Sequence, residues 1–339
     1  MTERNHAVLL VRRPVGAPVP EDFSIVEQPV PEPGPGEVLV RNRFLSLDPY
    51  MRGRMSDAKS YAAPVALGAV MEGGTVGEVV ASRDPGFAPG DTVMNGFGWQ
   101  RFCALPAARL RRIDAGEVPL ARNLGLLGMP GLTAWVGLAD IGTPRAGETM
   151  VVSAASGAVG QVVGQLGKIA GCRVIGIAGG QAKCDFVTRE LGFDACLDHR
   201  GDLAAQLDVA CPEGTDVYWE NVGGAVQAAV WPRLRDFGRM VMCGMIAQYN
   251  EAPGADAAGA PAGPNLGPIV RKRLRVQGFI VSDTGWQRYP QFRAEMLGHI
   301  AAGKMTARED VVRGLENAPA AFIGLLNGAN FGKLVVAID

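Results

Sequence analysis

The spacing of hydrophobic residues divides the chain into two regions. Residues 1–120 contain short apolar runs broken by Pro- and Gly-rich turns, which is typical of a β-rich, barrel-like domain. From about residue 123, apolar runs alternate with segments of helical periodicity, and this alternation predicts a parallel, doubly wound sheet. The strands predicted from these patterns are 7–11, 38–44, 75–81, 92–95, 150–153, 173–177, 195–198, 216–220, 239–242, 275–278 and 334–338. A further helix is predicted over 287–303, and the last strand is expected to return to the first domain.

The segment 149–183 predicts a nucleotide-binding βαβ unit. A strand leads into the turn Ala155-Ser156-Gly157-Ala158-Val159-Gly160, which is followed by a helix and a second strand. This order brings backbone N–H groups and a helix N-terminus to a pyrophosphate. Gly157 permits the tight turn and Gly160 permits close helix packing, although Ala155 replaces the first glycine of the usual three. The alternative is a strand-to-helix turn without a ligand.

The end of the second strand in this unit favours NADP(H) over NAD(H). Sites for NAD usually place Asp or Glu about twenty residues after the glycines, on the ribose 2′-OH. Here residues 178–183 are Ala-Gly-Gly-Gln-Ala-Lys, without an acid. Lys183 would bind a 2′-phosphate through a charge-assisted hydrogen bond worth about 1.5–3 kcal/mol. Alternatively, Lys183 is only a surface residue at the start of a helix.

Composition narrows the class of protein. A length of 339 residues favours two domains. The 33 basic and 34 acidic residues nearly cancel, so we expect no nucleic-acid partner. No apolar run approaches the ~20 residues of a membrane helix, and the N-terminus resembles a first strand more than a signal peptide. We therefore expect a cytoplasmic protein without a membrane partner. The six cysteines form no CxxC pair and the three histidines are scattered, so no metal site is predicted.

Eight motifs, in order along the chain, resemble one family. They are SLDPYMRGRM (46–55), GDTVMNGFGWQRF (90–102), MPGLTAWVGL (129–138), AASGAVG (154–160), ENVGG (220–224), CGMIAQYN (243–250), RKRLRVQGFIV (271–281) and NGANFGK (327–333). In these motifs the chain is similar to zinc-independent medium-chain dehydrogenases/reductases of the leukotriene B4 dehydrogenase, prostaglandin reductase and bacterial curcumin reductase type. The form AASGAVG is the one this family uses, which accounts for Ala155.

The resemblance implies an α/β protein in which a Rossmann doubly wound parallel sheet is combined with a GroES-like β-barrel domain. The barrel would comprise residues 1–122 and 310–339, and the NADP(H)-binding Rossmann domain residues 123–309. The resemblance also implies NADPH as cofactor and commonly a homodimer. Loops 57–66 and 251–268 are expected to shape the pocket between the domains, and 251–264 to be flexible.

The sequence departs from the zinc-dependent relatives of this family. Where those carry Gly-His-Glu, with a zinc-binding His, this chain has Val70-Met71-Glu72, and the four-cysteine structural zinc lobe is missing. Alcohol oxidation without a Lewis acid lacks a group that polarises the oxygen. We therefore predict NADPH-dependent reduction of the C=C bond of α,β-unsaturated ketones and aldehydes. The alternatives are an NADPH quinone reductase of the zeta-crystallin type and a non-catalytic NADPH-binding protein.

Two tyrosines are the predicted catalytic residues. Tyr50 in DPYMR and Tyr249 in AQYN belong to motifs that the family places near the nicotinamide. A tyrosine hydroxyl is neutral at pH 7 and can donate to the enolate oxygen, directly or through the nicotinamide ribose hydroxyl. Alternatively, Tyr50 packs in the barrel and Tyr249 only lines the cofactor. Arg52 either guides an acidic substrate or pairs with Asp48, and we favour the ion pair.

The resemblance also implies a set of cofactor contacts. His199 stands where many relatives have Tyr; Asn221 and Asn330 are otherwise simple turn residues, and 279–281 otherwise a core strand. The implied cofactor-binding residues are Gly157, Ala158, Val159, Gly160, Lys183, His199, Asn221, Cys243, Gly244, Met245, Ile246, Tyr249, Phe279, Ile280, Val281 and Asn330.

Overall fold

A computed structural model describes residues 3–251 and 266–338 of the protein. The loop predicted at 251–264 lies outside the described residues except for Glu251, as does most of the pocket loop 251–268. Among the described residues, no helix is both long and apolar enough to cross a membrane.

Strands dominate the N-terminal region and alternate with helices after it. The strands are β1 (Arg4–Leu10), β2 (Phe23–Pro29), β3 (Glu37–Ser46), β4 (Thr75–Ser82), β5 (Thr92–Asn95), β6 (Phe102–Pro106), β7 (Arg111–Arg112), β8 (Thr149–Val152), β9 (Arg173–Ala178), β10 (Ala195–Asp198), β11 (Thr215–Glu220), β12 (Leu234–Met242), β13 (Arg275–Gly278), β14 (Glu309–Arg313) and β15 (Lys333–Ala337). The helices are α1 (Met51–Arg54), α2 (Met129–Gly137), α3 (Gly160–Ile169), α4 (Gln181–Arg189), α5 (Leu203–Ala210), α6 (Gly224–Val230), α7 (Gly267–Lys272), α8 (Val281–Thr284), α9 (Tyr289–Ala301) and α10 (Ala318–Leu326).

The second region is a parallel sheet of order β10-β9-β8-β11-β12-β13. Successive residues of β8 face opposite sides: Met150 and Val152 pack with α2, α3 and α9, whereas Val151 packs with α5 and α6. Because helices cover both faces, the strands are near-continuous apolar runs. The predicted doubly wound α/β fold is confirmed.

The N-terminal region is rich in antiparallel strands. One sheet has the order β14-β15-β3-β4-β5-β7, with β6 pairing β3 at one end, and β1 pairs β2 separately. The C-terminal strand β15 lies between β3, to which it is antiparallel, and β14, to which it is parallel. The tail of the chain therefore completes the N-terminal sheet. The domain limits at 122/123 and 309/310 stay a prediction.

Four strands, β2, β6, β7 and β14, were not predicted from the hydrophobic pattern, and β7 consists of only two residues, both arginines. In β2 the first residue, Phe23, is buried and the remaining positions alternate between exposed and partly exposed; β14 has no fully buried residue. Strands of this kind pair at a sheet edge with few apolar positions, so their sequence signal is weak. The strand β6 begins directly after the segment 97–101, and with only five residues it gives a short hydrophobic pattern.

A buried ion pair holds β15 in the sheet. Lys333 Nζ lies 2.6 Å from Asp48 Oδ1 and donates to the Leu47 carbonyl oxygen at 2.8 Å, and the Ser46 hydroxyl donates to the Asp48 carboxylate. Lys333 is 1% exposed and Asp48 5%. Burial lowers the pKa of Lys333, and the neighbouring Asp48 opposes that shift. A Cβ on Gly125 would lie only 3.1 Å from Lys333 Cγ, so the glycine leaves room for this side chain.

Replacing Lys333 by Met should destabilise the protein strongly. The substitution leaves the Asp48 carboxylate buried without its cation, which typically costs about 3–5 kcal/mol in the free energy of unfolding. The free energy is measured by urea denaturation. Lys168→Met is the matched control, because Lys168 pairs with Asp194 at 2.8 Å with both side chains about one-third exposed. An exposed pair contributes below about 1 kcal/mol. Equal losses in the two variants would contradict the assignment.

Candidate active site

The turn after β8 provides open backbone donors at the N-terminus of α3. Gly157 N–H donates to the Ala154 carbonyl at 2.9 Å, and Ala154 adopts a φ of 48°. A Cβ on residue 160 would lie 2.3 Å from the Ala154 carbonyl oxygen, so only Gly160 allows this close packing. Within the described chain, the N–H groups of Ala158 and Val159 have no backbone acceptor. Such free N–H groups at a helix N-terminus bind anions.

This turn lies where the strand order reverses, between β8 and β11. In doubly wound sheets, ligands bind outside the carboxyl ends of the strands at this point. The fully buried carboxylate of Glu220 ties the two strand ends together. Its Oε1 accepts from the Ser153 hydroxyl at 2.9 Å and Val222 N–H at 2.6 Å, and its Oε2 accepts from the Tyr218 hydroxyl at 2.6 Å.

Asn221 lies beside this carboxylate, but its side chain is engaged by the protein. Its Nδ2 donates to the Ser153 carbonyl at 2.7 Å, and its Oδ1 accepts from Trp219 Nε1 at 3.0 Å. Its backbone N–H donates to the Ser153 hydroxyl at 2.7 Å. One Nδ2 hydrogen remains for a ligand, because an amide nitrogen carries two.

The segment 243–249 is anchored to the end of β11. The N–H groups of Cys243 and Gly244 both donate to the Glu220 carbonyl, at 2.9 and 3.1 Å. Ile246 N–H donates to the Asn221 carbonyl at 3.2 Å, so the backbone follows the strand end closely. Met245 and Ile246 are half-buried beside it. Burial raises the pKa of Cys243 to about 12, so its thiol stays protonated and is a poor nucleophile.

The two predicted catalytic tyrosines are half-buried. Burial, and after it the charge of Asp48, raises the pKa of Tyr50 above its ordinary value. In the part of the chain that the structure describes, no group hydrogen-bonds to the Tyr50 hydroxyl. The Tyr249 oxygen accepts from Met245 N–H at 3.4 Å, and burial raises its pKa as well. Both hydroxyls keep a proton that can be donated.

A third tyrosine lies beside these two and was not predicted individually. Tyr61 belongs to the predicted pocket loop 57–66, and it lies close enough to Tyr50 and Tyr249 to contribute to the raised pKa of each. The guanidinium of Arg54 lies 5.3 Å from the Tyr61 ring centroid and 5.7 Å from that of Tyr50. This cation–π contact orders the loop next to the tyrosines. The sequence signal was weak, because Tyr61 is 59% exposed and has no motif of its own.

Three further predicted residues lie near the ends of β9, β10 and the tail. Lys183 Nζ donates to the Gly328 carbonyl at 2.7 Å, which joins α4 to the tail loop. Asn330 Nδ2 donates to the Gly332 carbonyl at 2.8 Å within that same loop. His199 is exposed at the end of β10, and its side chain faces Gly179.

Two alternatives from the sequence are corrected. Residues 279–281 do not continue a core strand, because β13 ends at Gly278 and Val281 begins α8. Phe279 packs edge-on against Trp219, with ring centroids 6.1 Å apart, and Ile280 precedes the helix.

Arg52 does not pair with Asp48. It is 4% exposed, and its Nη2 donates to the Gly16 carbonyl at 2.8 Å, while Asp48 is bound by Lys333. The predicted ion pair with Asp48 is therefore wrong. The Arg52 guanidinium instead supports the N-terminal loop through its hydrogen bond to the Gly16 carbonyl oxygen. Burial also lowers the pKa of Arg52.

The open donors match the phosphates of a dinucleotide. Free N–H groups at Ala158 and Val159 suit a pyrophosphate, and the Lys183 ammonium suits a further phosphate. Within residues 3–251 and 266–338, no group of three or more His, Cys, Asp or Glu side chains is placed to hold a metal ion.

Comparisons with known proteins cover the whole chain. Residues 6–113 match the family model described as the N-terminal domain of oxidoreductase, and residues 158–298 match the one described as zinc-binding dehydrogenase. The chain is 48% identical to the NADPH-dependent curcumin reductase of Escherichia coli, over 99% of this chain and 97% of that protein. It is 41% identical to the NADP⁺-dependent 2-alkenal reductase of Nicotiana tabacum, over 99% and 98%. The crystal structure of CurA from Vibrio vulnificus in complex with NADPH superposes with a TM-score of 0.92, at 48% identity over 98% and 99% of the chains.

Replacing Glu220 by Gln should destabilise the strand ends. Glu220 accepts hydrogen bonds from three donors, and an amide in its place would turn its NH₂ group toward at least one of them. That donor would lose its acceptor, and a buried unsatisfied polar group costs about 1–3 kcal/mol. We expect a loss of this size in the free energy of unfolding, measured by urea denaturation. Glu213→Gln is the control, because Glu213 is exposed. A Glu220→Gln variant as stable as that control would contradict the network.

Proposed function

The chain belongs to the zinc-independent medium-chain dehydrogenases/reductases, and we propose that it reduces the C=C bond of α,β-unsaturated ketones and aldehydes with NADPH. The supporting observation is the full-length similarity to reductases of this kind, one of them solved with NADPH. We assign segment 243–249 to the nicotinamide half of the cofactor, and the proximity of Tyr61 to both Tyr50 and Tyr249 supports a common site for the two hydroxyls. Tyr50 and Tyr249 are the proposed catalytic residues.

Bound NADPH would supply a hydride to the β-carbon of the substrate, and a proton must reach the α-carbon to complete the reduction. Negative charge then develops on the carbonyl oxygen as the enolate forms, and the protein must provide a donor there. The Tyr50 hydroxyl is suited to this role because it is unpaired among the described residues and burial keeps it protonated. Tyr249 is the second donor, since its oxygen already accepts from Met245 and its proton remains available.

The proposed cofactor contacts follow the cleft from one end to the other. The turn before α3 would hold the pyrophosphate, Lys183 the 2′-phosphate, and segments 243–249 and 279–281 the nicotinamide. The complete proposed set is Gly157, Ala158, Val159, Gly160, Lys183, His199, Asn221, Cys243, Gly244, Met245, Ile246, Tyr249, Phe279, Ile280, Val281 and Asn330. Open donors at the turn and half-buried side chains in 243–249 support it.

We also propose a cytoplasmic homodimer that forms along β13. This strand is the last of the parallel sheet, and all four of its residues are exposed. Apolar side chains accompany this edge: Val276 is 37% exposed, Val270 79% and Leu266 59%. An open strand edge with apolar neighbours is a template for pairing with a second copy.

Removing either catalytic hydroxyl should slow turnover. Loss of one oxyanion donor costs about 2.7–4 kcal/mol, so Tyr50→Phe and Tyr249→Phe should each lower kcat by about two to three decades. The assay follows NADPH consumption with an enone such as 3-nonen-2-one, with a naphthoquinone as the comparison substrate.

Tyr289→Phe is the matched control for these variants. The Tyr289 hydroxyl donates to the Leu127 carbonyl at 2.9 Å in the protein core, and none of its hydrogen-bond partners is a proposed catalytic or cofactor-binding residue. Its removal should leave kcat within a few-fold of the parent enzyme. Unchanged enone turnover in both cleft variants would refute the tyrosine assignment, and faster turnover of the naphthoquinone would favour a quinone reductase.

A charge on β13 should dissociate the proposed dimer. Val276→Asp would bury a carboxylate at the contact, with a desolvation penalty of several kcal/mol. Sedimentation equilibrium should give twice the chain mass for the parent protein and the monomer mass for this variant. Val311→Asp is the control, because Val311 is 46% exposed on β14, an edge strand of the other sheet. Dissociation by the control variant, or a monomeric parent, would contradict the contact.

A further inference from the structure

Two basic side chains face a Gly-Gly turn at the carboxyl ends of β9 and β10. A Cβ on Gly179 would lie 2.8 Å from His199 Nε2, and a Cβ on Gly180 would lie 2.8 Å from Arg200 Nη1. Gly180 has a φ of 91°, a conformation that side chains disfavour. The turn therefore leaves its backbone open and lets the Arg200 guanidinium approach it closely.

Asp198 connects the Gly-Gly turn after β9 to the loop after β10 that carries Arg200. Its Oδ1 accepts from Gly180 N–H and from Arg200 N–H, at 3.0 Å each. These bonds use the carboxylate for backbone groups and hold the loop after β10 beside the turn after β9. They also lower the pKa of Asp198, so it remains an acceptor at neutral pH. Asp198, the last residue of β10, thereby fixes the backbone at Arg200 through the Arg200 N–H.

The cationic groups here have no ion-pair partner. Within the ranges that the structure describes, no carboxylate lies within 4.0 Å of the charged ends of Lys183 or Arg200, although Asp198 and Asp310 are close enough to influence the local charge. Burial lowers the pKa of Lys183, and the charge of Arg200 lowers it further. Two mutually repelling cations on an open turn are stabilised when an anion binds between them.

We propose that Arg200 is a specificity-determining residue that binds the 2′-phosphate of NADPH together with Lys183. The inference rests on the proposed NADPH-dependent function. The carboxyl end of the second strand is where an acidic residue binds the ribose 2′-OH in NAD proteins, and where an arginine accommodates a 2′-phosphate. A guanidinium offers paired N–H donors that fit phosphate oxygens, whereas an ammonium acts as a point charge. His199 borders the same turn and completes its basic lining.

The test measures cofactor binding without turnover. Isothermal titration calorimetry gives Kd values for NADPH and NADH, and for the fragments 2′-AMP and 5′-AMP, with the full-length protein. A charge-assisted hydrogen bond supports about a 10- to 100-fold effect, so Arg200→Ala should weaken NADPH and 2′-AMP by that factor. NADH and 5′-AMP should change less than about two-fold, because they lack the phosphate. Arg200→Lys should recover part of the loss by restoring the charge.

Arg189→Ala is the control variant. Arg189 lies at the other end of α4, with a side chain 77% exposed and 3.5 Å from Asp185. It should leave all four Kd values unchanged. An equal loss for NADPH and NADH in Arg200→Ala, or no loss, would overturn the assignment while the parent protein still prefers NADPH. A parent protein without that preference would instead refute the proposed function.

Discussion

The Lys333–Asp48 ion pair is the interaction on which the arrangement of the cleft depends. Asp48 precedes Tyr50 by two residues, and Lys333 follows Asn330 by three, so one buried contact sets the position of a proposed catalytic residue and of the tail loop. The tail loop in turn accepts a hydrogen bond from Lys183 on the parallel sheet. Burying two charges is unfavourable unless they pair with good geometry, so the contact strongly disfavours any other placement of the tail strand.

Glu220 has the corresponding role on the side of the parallel sheet. Its carboxylate accepts from Ser153 just after β8, from Tyr218 in β11 and from Val222 just beyond β11, while its carbonyl accepts from Cys243 and Gly244. The backbone groups at the switch point are therefore ordered by the protein itself. Donors that are fixed before a ligand binds require little reorganisation when it does. In the proposed function, the buried acid would contribute to binding through the backbone that it positions.

Sequence patterns predict best the parts of this fold whose cause is local. The strands β8 and β9 agree with prediction to within about a residue, because a strand buried on both faces must be an apolar run. Lys333 and Asp48 are 285 residues apart, and nothing near either residue indicates its partner. Tyr61 and Arg200 are exposed residues of loops, where position depends on packing and on a capping carboxylate. Within the candidate site, the glycine turn could be predicted from its own residues, whereas the position of Arg200 beside Lys183 could not.

Burial changes along the cleft in the direction that its proposed chemistry requires. Near segment 243–249 the tyrosines are partly buried, and burial raises their pKa, so they remain neutral donors. A neutral hydroxyl can donate a hydrogen bond to the negative charge that develops on the substrate oxygen only as the enolate forms. At the other end, Arg200 is exposed, where keeping a cation carries little desolvation penalty. A permanently charged phosphate is best bound there, because neither partner must leave water completely. Exchanging the two environments would therefore weaken both of the proposed interactions.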